Sequence, residues 1–407
     1  ENFLTVKQPV RRTRYKSKTS VTTPATPSPR PIQISAMRSN PNILGIFSAA
    51  LVSLPSIKRR NSDQSLICER STILSRSASL IRIPVPEPRV SAREVGSVLA
   101  YASVSHPGKS RLINEDRVLA MSPVIIKRNG KAETLTNCSM FAIVDGTNGS
   151  MCAEFVKQHL FTTLTNEPAF LTDPSEALRH TFRKVDKQFL DTVQSKTTKA
   201  STPDRSGASV IVLIVVEDSC YIASLGNCRA VMSGGKGSRS YNLYREHTLN
   251  DEIEKKRVIK AGANVQRSFY ETLKHVGVGT VPQPFRIYPG DLALTRALGH
   301  YDAKSESCGG RPKVILNQPD IRYFKLTHEH DYILIGSSGI FQTFPNKELL
   351  HSIWKSSLAS TEDITSRLGT ALSELLQESV EREVEENVSL LVVAFEGYVR
   401  QCRSANC

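Results

Sequence analysis

An apolar run from Met140 to Val144 ends in a carboxylate, Asp145. Gly146 follows at once, then Thr147, Asn148, Gly149 and a segment with helical spacing. Few features limit a fold more. A buried strand has to deliver its last residues to an edge where charge is tolerated. The two glycines permit a tight turn, with a backbone carbonyl close enough to join the carboxylate on a hard cation. Asp145 is therefore a candidate metal ligand, and an ordinary Asp-Gly turn is the plainer alternative. Only acids elsewhere in the chain can separate the two.

Such acids occur in the first stretch that reads as ordered. Residues 97–105 and 117–121 have the pattern of strands, and the connection between them carries Arg111, then Glu115 and Asp116. An arginine offers a planar fork to phosphate, and acids at a strand edge can hold a cation or its water shell; surface charge alone explains them equally well. Helical spacing is expected over 152–165, 174–195 and 363–383, and over 250–261 with a stop at Gly262. Strands are expected at 206–216, 220–231, around 241–243, at the start of 331–342 and over 387–395. Residues 266–288 lack a clean period and read as a mobile flap. Strand clusters with helical pairs between and after them argue for an α+β layered domain instead of repeated βαβ units.

The charge is uneven. Residues 1–100 hold 16 Lys+Arg against 5 Asp+Glu and 10 of the 21 prolines, so most of the net +14 lies in this arm. Rich also in Ser and Thr, it cannot bury enough apolar surface to offset the entropy of ordering, and residues 1–94 are expected to be mostly disordered. Ser62, Ser77 and Ser79 follow arginines closely, so the arm can serve as a solvated linker, as a docking or phosphorylated segment, or as a contact for anionic surfaces. With Phe3, Tyr15 and Phe47 as its aromatic residues it is poorly equipped for base stacking, which argues against specific nucleic-acid recognition. No stretch reaches the roughly 18 to 20 apolar residues of a membrane span. Eight cysteines without a Cys-x-x-Cys pair suit reduced, buried thiols of a cytoplasmic or nuclear protein.

Taken together and in order, Arg111-x-x-x-Glu115-Asp116, Val144-Asp-Gly146, Gly207-Ala-Ser, the 223–231 block, Ala261-Gly-Ala-Asn-Val265, Leu292 to Gly299, the 333–340 strand and turn, and Glu386-Asn387 resemble the PP2C (PPM) family of metal-dependent protein serine/threonine phosphatases. The resemblance covers about residues 97–397. It implies a domain over 95–398, followed by a short tail at 399–407. The implied fold is a four-layer αββα sandwich: two antiparallel sheets packed face to face and flanked by helices, with a binuclear Mg²⁺ or Mn²⁺ centre in a cleft at one edge. It also implies that Arg111 binds phosphate and that Glu115, Asp116, Asp145, Gly146 and Glu386 are metal ligands.

The chain departs from the family pattern at several of these positions. Thr147 stands where the family has the histidine taken as general acid, and Ser338 replaces the aspartate of Ser-Asp-Gly. Asn227 and Gln342 are neutral at positions associated with a weaker third metal. His300 replaces the acid that closes the Arg-Ala-Leu-Gly block; it is expected as a solvated loop residue, with metal ligation as the lesser alternative. The expectation is a pseudophosphatase holding at most one Mg or Mn ion and acting as a regulatory or phosphoprotein-binding module in signalling. The alternatives are a slow Mg/Mn-dependent phosphatase and an adaptor that works through its basic arm.

Overall fold

The computed structural model describes residues 85–128, 131–197, 201–274 and 277–404. The arm up to residue 84, with Cys68 and the three arginine-flanked serines, lies outside the described residues, as does Cys407.

Strands β6 (Cys138–Thr147) and β7 (Gly207–Val216) are apolar on both faces, which suits a strand covered from both sides. Alternate residues go to different cores. Met140, Ala142 and Val144 join the cluster that includes the helices α1 (Met151–Thr165) and α2 (Pro174–Lys196), while Phe141 and Ile143 face the opposite sheet. Residues of β15 (His330–Gly336) and β16 (Val388–Ala394) alternate likewise: Ile333, Ile335, Leu391 and Val393 turn inward to meet Phe141 and Ile143. Their neighbours Tyr332, Leu334, Leu390 and Val392 pack with α6 (Asn346–Ala359), α7 (Ile364–Glu381) and α8 (Glu396–Ser404).

Two six-stranded sheets result. The first has the order β1 (Arg89–Val90), β2 (Ala100–His106), β16, β15, β9 (Arg229–Gly234), β10 (Arg239–Asn242). The second runs β14 (Asp320–Lys325), β8 (Ser219–Leu225), β7, β6, β3 (Arg117–Met121), with β13 (Leu298–Gly299) pairing to β7. All their pairings are antiparallel. The layers are therefore helix, sheet, sheet, helix, as the resemblance implies.

Smaller pieces sit beside the sandwich. A short hairpin joins β4 (Val124–Arg128) to β5 (Lys131–Leu135). Helix α3 (Glu252–Lys260) is capped by Asp251, whose carboxylate accepts from the Ile253 and Glu254 amides. Buried Glu254 ties it down, accepting from Arg296 Nη2 at 2.6 Å, Arg257 Nη2 at 2.9 Å and Thr295 Oγ1 at 2.8 Å. Two short helices, α4 (Tyr301–Lys304) and α5 (Ser338–Thr343), follow β13 and β15.

One expectation needs correction, and two ends of the domain gain detail. Residues 266–288 belong to a long antiparallel hairpin, β11 (Asn264–Lys274) with β12 (Gly277–Tyr288). Its strands form a sheet of their own, and at its base Ile287 is buried in a small cluster with Val258 and Leu292, against which Val265 and Phe285 pack. Structure also begins before residue 95, since β1 extends the first sheet by pairing Arg89 with Ser103. The expected tail is mostly helical: α8 buries Tyr398, Val399 and Cys402 against the second helical layer.

Candidate functional site

Four chain segments meet where β6 and β15 end, β16 begins and the β2–β3 loop returns. β6 brings Asp145 beside Ser209, Gly146 beside Ala208 and Thr147 beside Gly207. β15 ends at Gly336, opposite Leu390, and delivers Ser337 and Ser338 to the same edge. Gly146 is required by packing: a Cβ there would lie 2.6 Å from the Glu115 carbonyl oxygen.

Asp145 is buried, and its Oδ2 accepts two hydrogen bonds from one residue, from the Ser338 hydroxyl at 2.6 Å and the Ser338 amide at 2.8 Å. Burial raises this carboxyl above its ordinary range; the Ser338 bonds oppose the rise and the charges of Glu386 and Glu115 add to it. Asp116 is also buried. Its Oδ2 accepts from Ser389 Oγ at 2.8 Å, but its Oδ1 has no partner. Burial, then the charge of Asp145, pushes Asp116 well above the usual carboxylate range against the pull of Ser389 and Ser337. The four predicted acids thus lie close enough to feel one another. Even so, among the described residues no three His, Cys, Asp or Glu side chains form a group placed to hold a metal ion.

The neutral positions make hydrogen bonds of their own. Gln342 Nε2 donates to Glu386 Oε2 at 2.9 Å, and Ser209 Oγ donates to Asn227 Oδ1 at 2.7 Å. Thr147 is half-buried at the end of β6, and Arg111 is exposed on the β2–β3 loop. His300 is neither solvated nor near these acids in the bonding pattern. It is fully buried in the left-handed region at φ 55°, and its ring packs where a Gly207 side chain would otherwise stand. Burial pushes its imidazole down to about 4.

Sequence reasoning missed the groups that hold the acids. Asn387 donates to the carbonyls of Pro107 (2.8 Å) and Ile113 (3.3 Å), and its Oδ1 accepts from the Glu115 amide at 2.9 Å. Ser337 Oγ donates to the Asn387 carbonyl and accepts from the Ser389 amide. Asn387 stands just before β16 and Ser389 within it, both buried, and nothing in their local sequence separates them from polar residues facing water.

A family model described as Protein phosphatase 2C matches residues 115–388, from the first of the paired acids to the start of β16. The chain belongs to the protein phosphatase 2C family. It is 28% identical over 258 residues to Probable protein phosphatase 2C 52 of rice, Oryza sativa subsp. japonica, a match spanning 63% of this chain and 44% of that protein. Probable protein phosphatase 2C member 13, mitochondrial, from the same plant is 30% identical over 257 residues, covering 63% of this chain and 60% of the relative. The chain thus spans about half the length of these PP2C relatives. Among solved structures, a serine-threonine phosphatase 2C of Toxoplasma gondii superposes with a TM-score of 0.58 at 18% identity, covering 77% of this chain and 98% of the other. A C. elegans sex determining protein gives 0.57 at 18% identity, with 84% and 74% covered. At that identity the likeness establishes the PP2C fold alone.

Proposed function

We propose that this PP2C domain is a catalytically impaired, phosphoprotein-binding regulatory module. The observation that carries the reading is the pair of hydrogen bonds from Ser338 onto Asp145 Oδ2. One oxygen of this candidate ligand is engaged by a neutral residue, at the position where the family pattern has an acid. Two divalent ions about 3.5–4 Å apart need several anionic oxygens around them. With Gln342 on Glu386 and Ser389 on Asp116 as well, the donors present fit such a pair poorly. When bound, the ions would supply Lewis-acid polarisation and an activated water. Thr147 adds to the deficit, because its hydroxyl cannot deliver a proton near neutral pH as an imidazolium does. Arg111 supports retained phosphate recognition, since a guanidinium exposed on the loop that also carries Glu115 and Asp116 can pair with a phosphoryl group in bidentate fashion.

A second reading has one observation in its favour. Asp116 Oδ1 is buried without a partner beside other carboxylates, and a single Mg²⁺ or Mn²⁺ near Glu115, Asp145 and Glu386 would relieve that repulsion. It would make the protein a slow phosphatase on phosphoserine and phosphothreonine. Aryl phosphate hydrolysis with millimolar Mn²⁺, measured beside Asp145→Ala, decides between the two. The impaired reading expects no difference between the proteins, and manganese-dependent turnover that Asp145→Ala abolishes overturns it.

Among the described residues no helix is long and apolar enough to cross a membrane. Among the described residues the free cysteines are buried except half-buried Cys308, which favours the reducing cytoplasm or nucleus as the place of action. The basic arm, with Ser62, Ser77 and Ser79, is assigned a docking or phosphorylated role in signalling.

A further inference from the structure

We propose that the loop between β2 and β3 reads the residues flanking a phosphorylated side chain, with Leu112 and Ile113 gripping a large apolar neighbour of the phosphoserine or phosphothreonine. The inference rests on the phosphoprotein-binding reading above and names the class of peptide it selects. Leu112 is 88% and Ile113 68% exposed, the two most exposed large apolar side chains among the described residues. They follow Arg111 directly, so a cation and two apolar surfaces are presented by three consecutive residues.

The backbone under them is anchored at both ends. On the entry side the Lys109 amide donates to the Val384 carbonyl at 2.8 Å and the Ser110 amide to the Glu385 carbonyl at 3.1 Å. On the exit side Asn387 holds the Ile113 carbonyl and the Glu115 amide, and Asn114 Nδ2 donates to Ser105 Oγ at 2.7 Å. Arg117 Nη1 caps the Asn114 carbonyl at 2.8 Å. The loop is thus pre-organised with its apolar groups in water, so a partner that covers them gains apolar burial at little ordering cost. A guanidinium attracts any phosphate with little regard to its neighbours; adjoining apolar contacts are what discriminate between peptides.

A bilayer is the other surface that could cover such a pair. It is disfavoured by exposed Glu385, whose carbonyl holds the Ser110 amide and whose carboxylate repels anionic headgroups, while Glu383 already neutralises Lys109 at 2.6 Å. The same Glu385 suits a peptide that also carries a basic residue.

The test is fluorescence anisotropy on the full chain with two ten-residue phosphoserine peptides, identical except that either leucine or serine flanks the phosphoserine. The leucine peptide is expected to bind about ten-fold more tightly. Leu112→Ser with Ile113→Ser should erase that preference, bringing the leucine peptide down to the affinity of the serine peptide, whereas Arg111→Ala should weaken both. Equal affinities for the intact chain, or a preference that survives the double substitution, overturn the loop proposal while leaving phosphate recognition in place. Absence of any Arg111-dependent phosphate binding removes the underlying reading, and this proposal with it. If binding to phosphatidylserine vesicles is lost in the double variant while peptide preference is unaltered, the pair belongs to a membrane contact and the proposal fails.

Discussion

Ser338 donates twice to a single carboxylate oxygen of Asp145, through its hydroxyl at 2.6 Å and its amide at 2.8 Å. A hydroxyl neutralises no charge, so it leaves Asp145 beside Glu386 and Glu115 with no added ligand to offer a cation. Ser338→Asp restores an acid at this edge. Manganese affinity should rise by about 10 to 100-fold, read by isothermal titration. In chelator the variant should melt a few degrees lower than the parent, because adjacent buried carboxylates disfavour ionisation, and manganese should reverse the loss. An unchanged binding isotherm would count against the electrostatic account.

Asn387→Ala removes one acceptor and two donors that pin the β2–β3 loop. The Glu115 amide loses its acceptor, and the expected cost is about 1–3 kcal/mol. Hydrogen exchange should quicken at Glu115 far more than in the middle of β16. Equal protection in variant and parent would mean that the loop is held by other contacts.

His300 makes stability depend on pH in a defined direction. Its folded pKa of about 4 lies below the ordinary value of roughly 6.5. Between these values the unfolded chain binds a proton that the native protein refuses. Stability should therefore fall as pH drops through the window and stop falling from this source below about 4, a loss of about 3 kcal/mol. Urea unfolding at several pH values between 4 and 7 measures it. His300→Asn, which tolerates the left-handed backbone, should flatten the slope relative to the parent.

Glu254 is buried and accepts from Arg296, Arg257 and Thr295, and these bonds hold its pKa down at about 2. Replacing it with alanine leaves Arg296, itself mostly buried, without that partner. A loss of about 3–5 kcal/mol is expected by chemical denaturation. A change under about 1 kcal/mol would show that Asp320, 2.9 Å from Arg296 Nη1, compensates the guanidinium alone.

Much of this architecture was legible because β6, β7, β15 and β16 are apolar on both faces, and such strands fit only between two covered layers. Asp145 was legible for the same reason: the run stops where the sheet edge begins. The hairpin β11–β12 was not. Its strands pair with each other outside the two large sheets, and Pro282 and Pro284 interrupt any alternating pattern. His300 was misread because its burial depends on the missing side chain of Gly207, on a strand distant in sequence. The polar clamps were missed for a related reason. A serine that bonds a carboxylate across the fold, as Ser389 does with Asp116, has the same local sequence signature as a serine facing water.

Asn387 suspends two structures from one side chain and one carbonyl: its amide carries the β2–β3 loop, and its backbone oxygen receives the Ser337 hydroxyl. Ser337 is the residue before the one that grips Asp145. One side chain thus sets the height of the loop and, through Ser337, the seat of the residue that bonds Asp145, so a substitution at Asn387 disturbs both walls of the cleft at once.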